Sequence, residues 1–335
     1  MDPLTHALTS YALARTVMSK PTAQATLFVV VAGLAPDLDV LSHLASSSAG
    51  LRFGGAVTHS LLGAAVLCAL LTFAYGAWQR KRAGPAPSFL GALGLAALGV
   101  GAHLLLDLTN SYGIALLWPF RAGRTAWNFT LLLDPILLSL LLLTLLLPGL
   151  FGLISEEIGA RKSARTGRGW SIAALVFLVL FCAARFFLHQ RAETLLEAGQ
   201  YHGRAPRHAG AFPDSASPFH WLGVVETEAS IEEVEVPLGP AGEFNPDRSR
   251  TYYKPEASPA LDAARQGPAA ARFLALARFP SASVEHTAGG SRVEFRDIGF
   301  SPLHGTGGYY SVAVELDGQA RVQSEELDYT RDRRR

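Results

Sequence analysis

Five apolar runs long enough to cross a lipid bilayer crowd into the first 190 residues of this chain, at about 22–43, 57–78, 89–109, 130–154 and 170–189. Crossing takes about 17–25 largely apolar residues in a helix. In hydrocarbon only structures that satisfy their own backbone hydrogen bonds persist, so runs of this length and number point to membrane helices. A sixth run, about 4–19, is short and only moderately apolar, and reads either as a span or as a half-buried amphipathic helix. It follows Asp2 rather than a basic region and lacks a long apolar centre, so it is not read as a cleaved signal peptide. Charge divides the chain in the same place. Residues 1–190 carry 13 Lys+Arg and 7 Asp+Glu, about 11 % of that segment, whereas 191–335 carry 16 and 21, about 26 %; soluble domains average about 25 %. The expected fold is an all-α polytopic membrane domain of five to six transmembrane helices over 1–190, a linker over 191–220, and a soluble α+β C-terminal domain over 221–330. This excludes a wholly cytosolic globular enzyme, a disordered chain and a basic nucleic-acid binder. Cys68 and Cys182 both lie in apolar runs, which leaves neither a disulfide framework nor a Cys-type zinc site.

Short basic loops set the expected orientation. Arg80, Lys81 and Arg82 lie between the second and third long runs, and Arg161, Lys162, Arg165 and Arg168 lie between the fourth and fifth. The excess of Lys and Arg in cytoplasmic loops places both inside. Counting spans from them puts Arg15 and Lys20 inside as well, the 110–129 loop outside, and everything after about 190 outside. In the tail, alternation at 221–227 and 231–238 predicts strands, Pro259 to Phe279 an Ala-rich helix, and 291–300 a further strand. YYSVAVEL followed by Asp317-Gly318 and QARVQSEEL predicts a hairpin with a type I′ turn.

The informative residues are the few ionisable ones in the membrane half, each costing about 2.5–3.5 kcal/mol or more near a helix centre unless paired or wet. With the orientation above, Asp2, Asp37, Asp39, Asp107 and Asp134, together with His6, His43, His59 and His103, all fall at outer helix ends. His103 and Asp107 are four apart and so share one helix face, as two ligands of one metal or a ligand and its orienting carboxylate require. Pro36 disfavours continued helix and lets Asp37 and Asp39 turn towards a common centre. Imidazole and carboxylate ligands suit Zn²⁺, with Mn²⁺ or Fe²⁺ as alternatives. Simpler readings stand beside these: His6 as an interfacial histidine, Asp37 and Asp39 as a helix-end turn and cap, Thr58-His59-Ser60 as a helix start, Asp134-Pro135 as an N-cap with proline at N1.

Taken together, MDPLTHAL (1–8), GLAPDLDVL (33–41), THSLLG (58–63), HLLLDLTNSYGIALLWPF (103–120) and Asp134-Pro135 make the chain resemble the YdjM/YbcI family of bacterial inner-membrane proteins, described as membrane-bound metal-dependent hydrolases. The likeness extends into the tail through SPFHWLGVVET (217–227) and AARFLALARFP (270–280). One departure is Gly54-Gly55-Ala56, where the family usually has His-Arg-Gly before Thr-His-Ser. The resemblance implies a multi-pass inner-membrane hydrolase. His6, Asp37, Asp39, His59, His103 and Asp107 are the expected metal ligands, Asp39 or Asp107 the general base, and Asn110, Tyr112 and Arg121 the substrate contacts. A site near the bilayer surface suits an amphiphilic ester or phosphoester, such as a phospholipid or a lipid-linked precursor. Two other classes use the same residues: a metal or proton transporter, whose coupling site sits near the midplane between repeats, and a non-enzymatic envelope protein with a structural metal.

Overall fold

Caps and prolines decide where each N-terminal helix starts in the computed structural model, which describes residues 1–39, 57–81, 88–121, 123–157, 166–215, 217–240, 242–287, 289–300 and 308–331. Helix α1 (Pro3–Val17) opens at Asp2, whose carboxylate accepts from the Thr5 amide and hydroxyl, with Pro3 at N1. Asp2 is therefore a cap. Helix α2 (Ala23–Leu34) opens at Thr22 and passes into one 3₁₀ turn, Ala35–Asp39, at Pro36. Helix α3 (Leu61–Lys81) follows Ser60, whose Oγ accepts from the Gly63 amide. Helix α4 (Phe89–Thr109) is capped by Ser88, and α5 (Pro135–Glu157) by Asp134, whose Oδ1 accepts from the Ile136 and Leu137 amides. Caps of this kind contribute about 1 kcal/mol each. Helix α6 spans Thr166–Ala198.

Among the described residues, three helices are long and apolar enough to cross a membrane: Leu61–Lys81, Phe89–Thr109 and Gly167–Ala198. Of the five to six spans expected, length and composition support these three. The run at 22–43 yields only twelve α-helical residues before the 3₁₀ turn, about 18 Å of helix at 1.5 Å per residue, against a hydrocarbon core of about 30 Å. The run at 130–154 starts its helix only after the Asp134-Pro135 cap, and its described apolar stretch is Pro135–Leu147.

Contacts divide the chain into two units, Met1–Ala184 and Arg185–Arg335. In the first, α4 packs on two sides. Phe28 and Ala32 of α2, and Ala64, Cys68 and Tyr75 of α3, surround Ala92, Ala96, Val100 and Leu104 of α4. Leu106 joins Ala12 of α1, Leu137 and Leu141 of α5, and Ala174 and Leu178 of α6. The closest approach is between α2 and α4: a Cβ on Gly99 would sit 2.5 Å from the Val29 carbonyl and 2.8 Å from the Gly33 nitrogen.

The second unit is built from two four-stranded antiparallel meanders. One is β1 (His208–Pro213), β2 (His220–Glu226), β3 (Ser230–Pro237) and β4 (Arg250–Tyr253); the other is β5 (Pro280–Thr287), β6 (Gly290–Asp297), β7 (Gly308–Asp317) and β8 (Val322–Arg331). The stretch 191–220, expected as a linker, contains the last turns of α6 and strand β1. The single helix expected from Pro259 is two, α7 (Pro259–Gln266) and α8 (Pro268–Leu276), broken where Pro268 follows Gly267. Leu261, Ala264 and Ala270 of these helices pack on Val293, Phe295, Val312 and Val314 of the second sheet. The β7–β8 turn is wider than the expected two-residue type: the Ala320 amide donates to the Asp317 carbonyl and the positive φ (57°) falls on Ala320, a three-residue loop of turn plus left-handed residue. Glu232 of β3 is buried. Burial pushes its carboxyl up, but hydroxyl donors on Ser230, Ser249 and Thr251 outweigh that and hold it below the usual carboxylate range.

Candidate metal centre

Four helix ends meet at one end of the N-terminal unit: the start of α1, the 3₁₀ turn after α2, the start of α3 and the end of α4. They bring Asp37, His59, His103 and Asp107 together, each offering one ligand atom, all within 4.8 Å of one another. His59, His103 and Asp107 are buried and Asp37 is half-buried. Asp107 Oδ2 lies 3.2 Å from His59 Nε2 and 3.3 Å from His103 Nε2. Asp37 Oδ1 lies 3.8 Å and 3.6 Å from the same two nitrogens. His6 stacks on His103 with ring centroids 3.7 Å apart and points Nε2 at Asp107 Oδ1, 3.3 Å away. The Met1 ammonium is ion-paired with the same Asp107 oxygen.

The rings of His103 and His59 are each aimed by a bond on the far side. His103 Nδ1 lies 2.7 Å from the Gly33 carbonyl, which can only accept, so Nδ1 carries a hydrogen and Nε2 is the nitrogen turned to the cluster. The close α2–α4 approach makes that bond: Gly99 is one helical turn before His103, on the face that meets Gly33. Thr58 Oγ1 lies 3.0 Å from His59 Nδ1 and plays the same aiming part there. Such partners fix ring orientation in metal sites. Asn110 ties Asp107 to the following loop. Its amide donates to Asp107 Oδ1 at 3.3 Å, while its own carbonyl accepts from the Tyr112 and Gly113 amides.

The two Nε2 atoms of His59 and His103 are 3.1 Å apart, beside two carboxylates. Lone pairs and carboxylates crowded this closely in a buried setting favour a proton or a cation among them, a part the Met1 ammonium plays at Asp107 Oδ1. Among the described residues, Asp37 Oδ2 and His6 Nδ1 are buried without hydrogen-bond partners; a buried polar atom left so costs about 1–3 kcal/mol. A divalent ion among these nitrogen and oxygen donors meets these demands, and the donor set suits Zn²⁺, Mn²⁺ or Fe²⁺. The cluster is thus capable of holding a metal ion.

Of the six residues expected as ligands, five meet here. The sixth, Asp39, closes the 3₁₀ turn with its backbone, and its side chain lies outside the described residues, as do His43 and Gly54-Gly55-Ala56. Among the expected substrate contacts, Asn110 is buried in its own turn, the Tyr112 side chain is exposed, and Arg121 is exposed further along the loop. Asp134, grouped by sequence with the outer acids, is the N-cap of α5. Sequence reasoning missed the Gly33 carbonyl and the Thr58 hydroxyl. The available signal for Gly33 was its place among the last four residues of a helix, whose carbonyls lack helical partners.

A family model described as "YdjM inner membrane protein" matches residues 1–192, which includes every residue of this cluster. The match ends within α6, so the two β-sheets and the tail segments expected to share the likeness lie beyond it. No curated protein and no solved structure matches the chain.

Proposed function

The chain belongs to the YdjM inner membrane protein family, and from that premise we propose that it is a membrane-bound metal-dependent hydrolase whose substrate is an amphiphilic ester or phosphoester, such as a lipid or lipid-linked precursor. The observation that carries this reading is the pair of imidazole nitrogens 3.1 Å apart beside Asp37 and Asp107. In it, His6, Asp37, His59, His103 and Asp107 hold a divalent ion, most suitably Zn²⁺. When bound, such an ion supplies Lewis acidity, both to activate water near neutral pH and to polarise an ester or phosphoester oxygen. The chain's own part is to aim the donors through Gly33, Thr58 and Asn110, and to take the proton from water on a carboxylate. Asp39 or Asp107 is that base; Tyr112 and Arg121 contact the substrate.

Orientation belongs to the same proposal: the centre lies at the outer face of the inner membrane and, with α5 (Pro135–Glu157) crossing alongside the three membrane-length helices, the C-terminal domain is extracytoplasmic. The support is the placement of charge. Arg15, Lys20, Arg80, Lys81 and Arg168 lie at or beyond helix ends opposite those that carry the cluster. Gln24 of α2 meets Gln79 of α3 at that opposite end, and Arg15 packs against Gly167.

Burial of His59, His103 and Asp107 favours one second reading, a structural metal with no turnover. The test is metal analysis of detergent-purified protein followed by assay on phospholipid esters and phosphoesters, with and without chelator. Bound metal together with chelator-sensitive release of product, lost in Asp39→Asn with metal retained, is the expected result. Stoichiometric metal without turnover on any lipid supports the structural reading, and metal-free protein overturns both.

A further inference from the structure

The loop between α4 and α5 has an unusual surface for a connection. Over residues 111–134 it carries only three charged side chains, Arg121, Arg124 and Asp134, and exposes Phe120 (87 %), Leu133 (57 %), Leu132 (49 %), Leu117 (46 %) and Trp127 (45 %). Loops normally present polar side chains to water, and contiguous exposed apolar patches mark contact surfaces. This one is also ordered by its own bonds. Ile114 and Thr125 exchange backbone hydrogen bonds, and the Trp127 and Phe129 amides return to the Leu108 and Thr109 carbonyls at the end of α4. The Leu116 carbonyl accepts from the Leu61 amide, the first of α3. The backbone bonds the loop makes lower the cost of placing its apolar side chains at the lipid interface, where the remaining polar groups still meet water.

Helices that join or contact the loop also turn apolar side chains outward: Ile136, Leu143 and Leu146 of α5, and Leu61 and Leu62 of α3, whose Leu61 amide bonds the loop, are exposed, and α4, which feeds the loop, is one of the three membrane-length helices. We infer that the α4–α5 loop lies in the lipid interface, with Phe120, Leu132 and Leu133 seated among acyl chains and Trp127 and Arg121 at the headgroup boundary, where aromatic rings and snorkelling cations are favoured. Asn110 links the root of this loop to Asp107, so the same segment that contacts lipid also borders the metal cluster. The occupant of the patch is the bilayer itself. The inference rests on the membrane reading and not on hydrolysis, so loop depth and catalysis stand or fall separately.

The test is spin-label depth measurement on the full chain in phospholipid vesicles, in a Cys68→Ala, Cys182→Ala background. Labels are placed at Phe120→Cys and Leu133→Cys, with Leu70→Cys on the exposed face of α3 as bilayer reference and Asp262→Cys in the C-terminal domain as aqueous reference. A Leu70 label relaxed chiefly by oxygen verifies that the background inserts. Labels at 120 and 133 are expected to be relaxed more by oxygen than by a water-soluble nickel chelate, at a depth between the two references. Nickel accessibility at the Asp262 level, or exclusion of both relaxants as in a protein-covered surface, overturns the inference.

Discussion

His103 makes a different contact with each ring nitrogen, a backbone carbonyl on one side and the cluster on the other, and this makes it the most informative single position. Replacing it or Asp107 by alanine is expected to lower bound metal by about 10–100-fold or more, as loss of a ligand or of its aiming partner does, while both variants remain in the membrane. Metal content measured on purified protein checks this, and wild-type stoichiometry in either would reduce the pair to a buried hydrogen bond. Asp37→Asn and His59→Ala come from different helices yet approach the same nitrogen and oxygen atoms. If the centre is one unit, either change alone removes nearly all activity and the double variant loses little more; additive losses would divide them into separate sites. Much of this was legible in sequence because charged groups in an apolar run have few explanations, and the i,i+4 spacing of His103 and Asp107 supplied geometry. The ring-aiming partners were not legible. A backbone carbonyl carries no residue-type signature, and Thr58 beside Ser60 reads as part of a helix start.

At the level of the helix, Gly99 holds the centre in register without touching it. A methyl group there meets the backbone of α2 at Val29 and Gly33, whereas a Cβ on Gly101, two residues on along α4, meets nothing within 4 Å. Gly99→Ala is therefore expected to push α2 from α4, costing about 1–3 kcal/mol as overpacking does, and to weaken metal binding through loss of the Gly33–His103 bond. Gly101→Ala should be neutral or stabilising by a few tenths to about 1 kcal/mol. Thermal unfolding in detergent and metal content, measured on both, separate packing from a general effect of replacing glycine. Long apolar runs gave the right helices for 57–78 and 89–109, since periodicity and length there agree. Sequence length alone overstated 22–43, because a proline converts the end of that run to a 3₁₀ turn, which is also what carries Asp37 into the cluster. In the second unit, alternation revealed β2, β3, β6 and the β7–β8 hairpin but not β4, β5 or β1, the last because HAGAFP is too small and irregular in pattern.

Among the described residues of the N-terminal unit, His6, Asp37, His59, His103, Asp107 and Asp134 gather at one end and Arg15, Lys20, Arg80, Lys81 and Arg168 at the other, with Arg121 and Arg124 of the α4–α5 loop as exceptions. This polarity gives a topological prediction: an alkaline phosphatase fusion at about residue 200 should be active and a fluorescent reporter that matures only in the cytoplasm should be dark at the same point, with reversed signals inverting the assignment. The convergence of the four helix ends also bears on how the protein is made. Synthesis delivers His6, Asp37 and His59 on three successive segments, yet none of them can complete the centre until α4 arrives with His103 and Asp107. Through the first 88 residues the nascent chain therefore holds an incomplete donor set, with the Gly33 carbonyl still waiting for the ring it will aim. An ion bound at this centre would be captured late in biogenesis, after α4 has docked against α1 and α2, and would be drawn from whichever compartment that end of the bundle faces when docking is done.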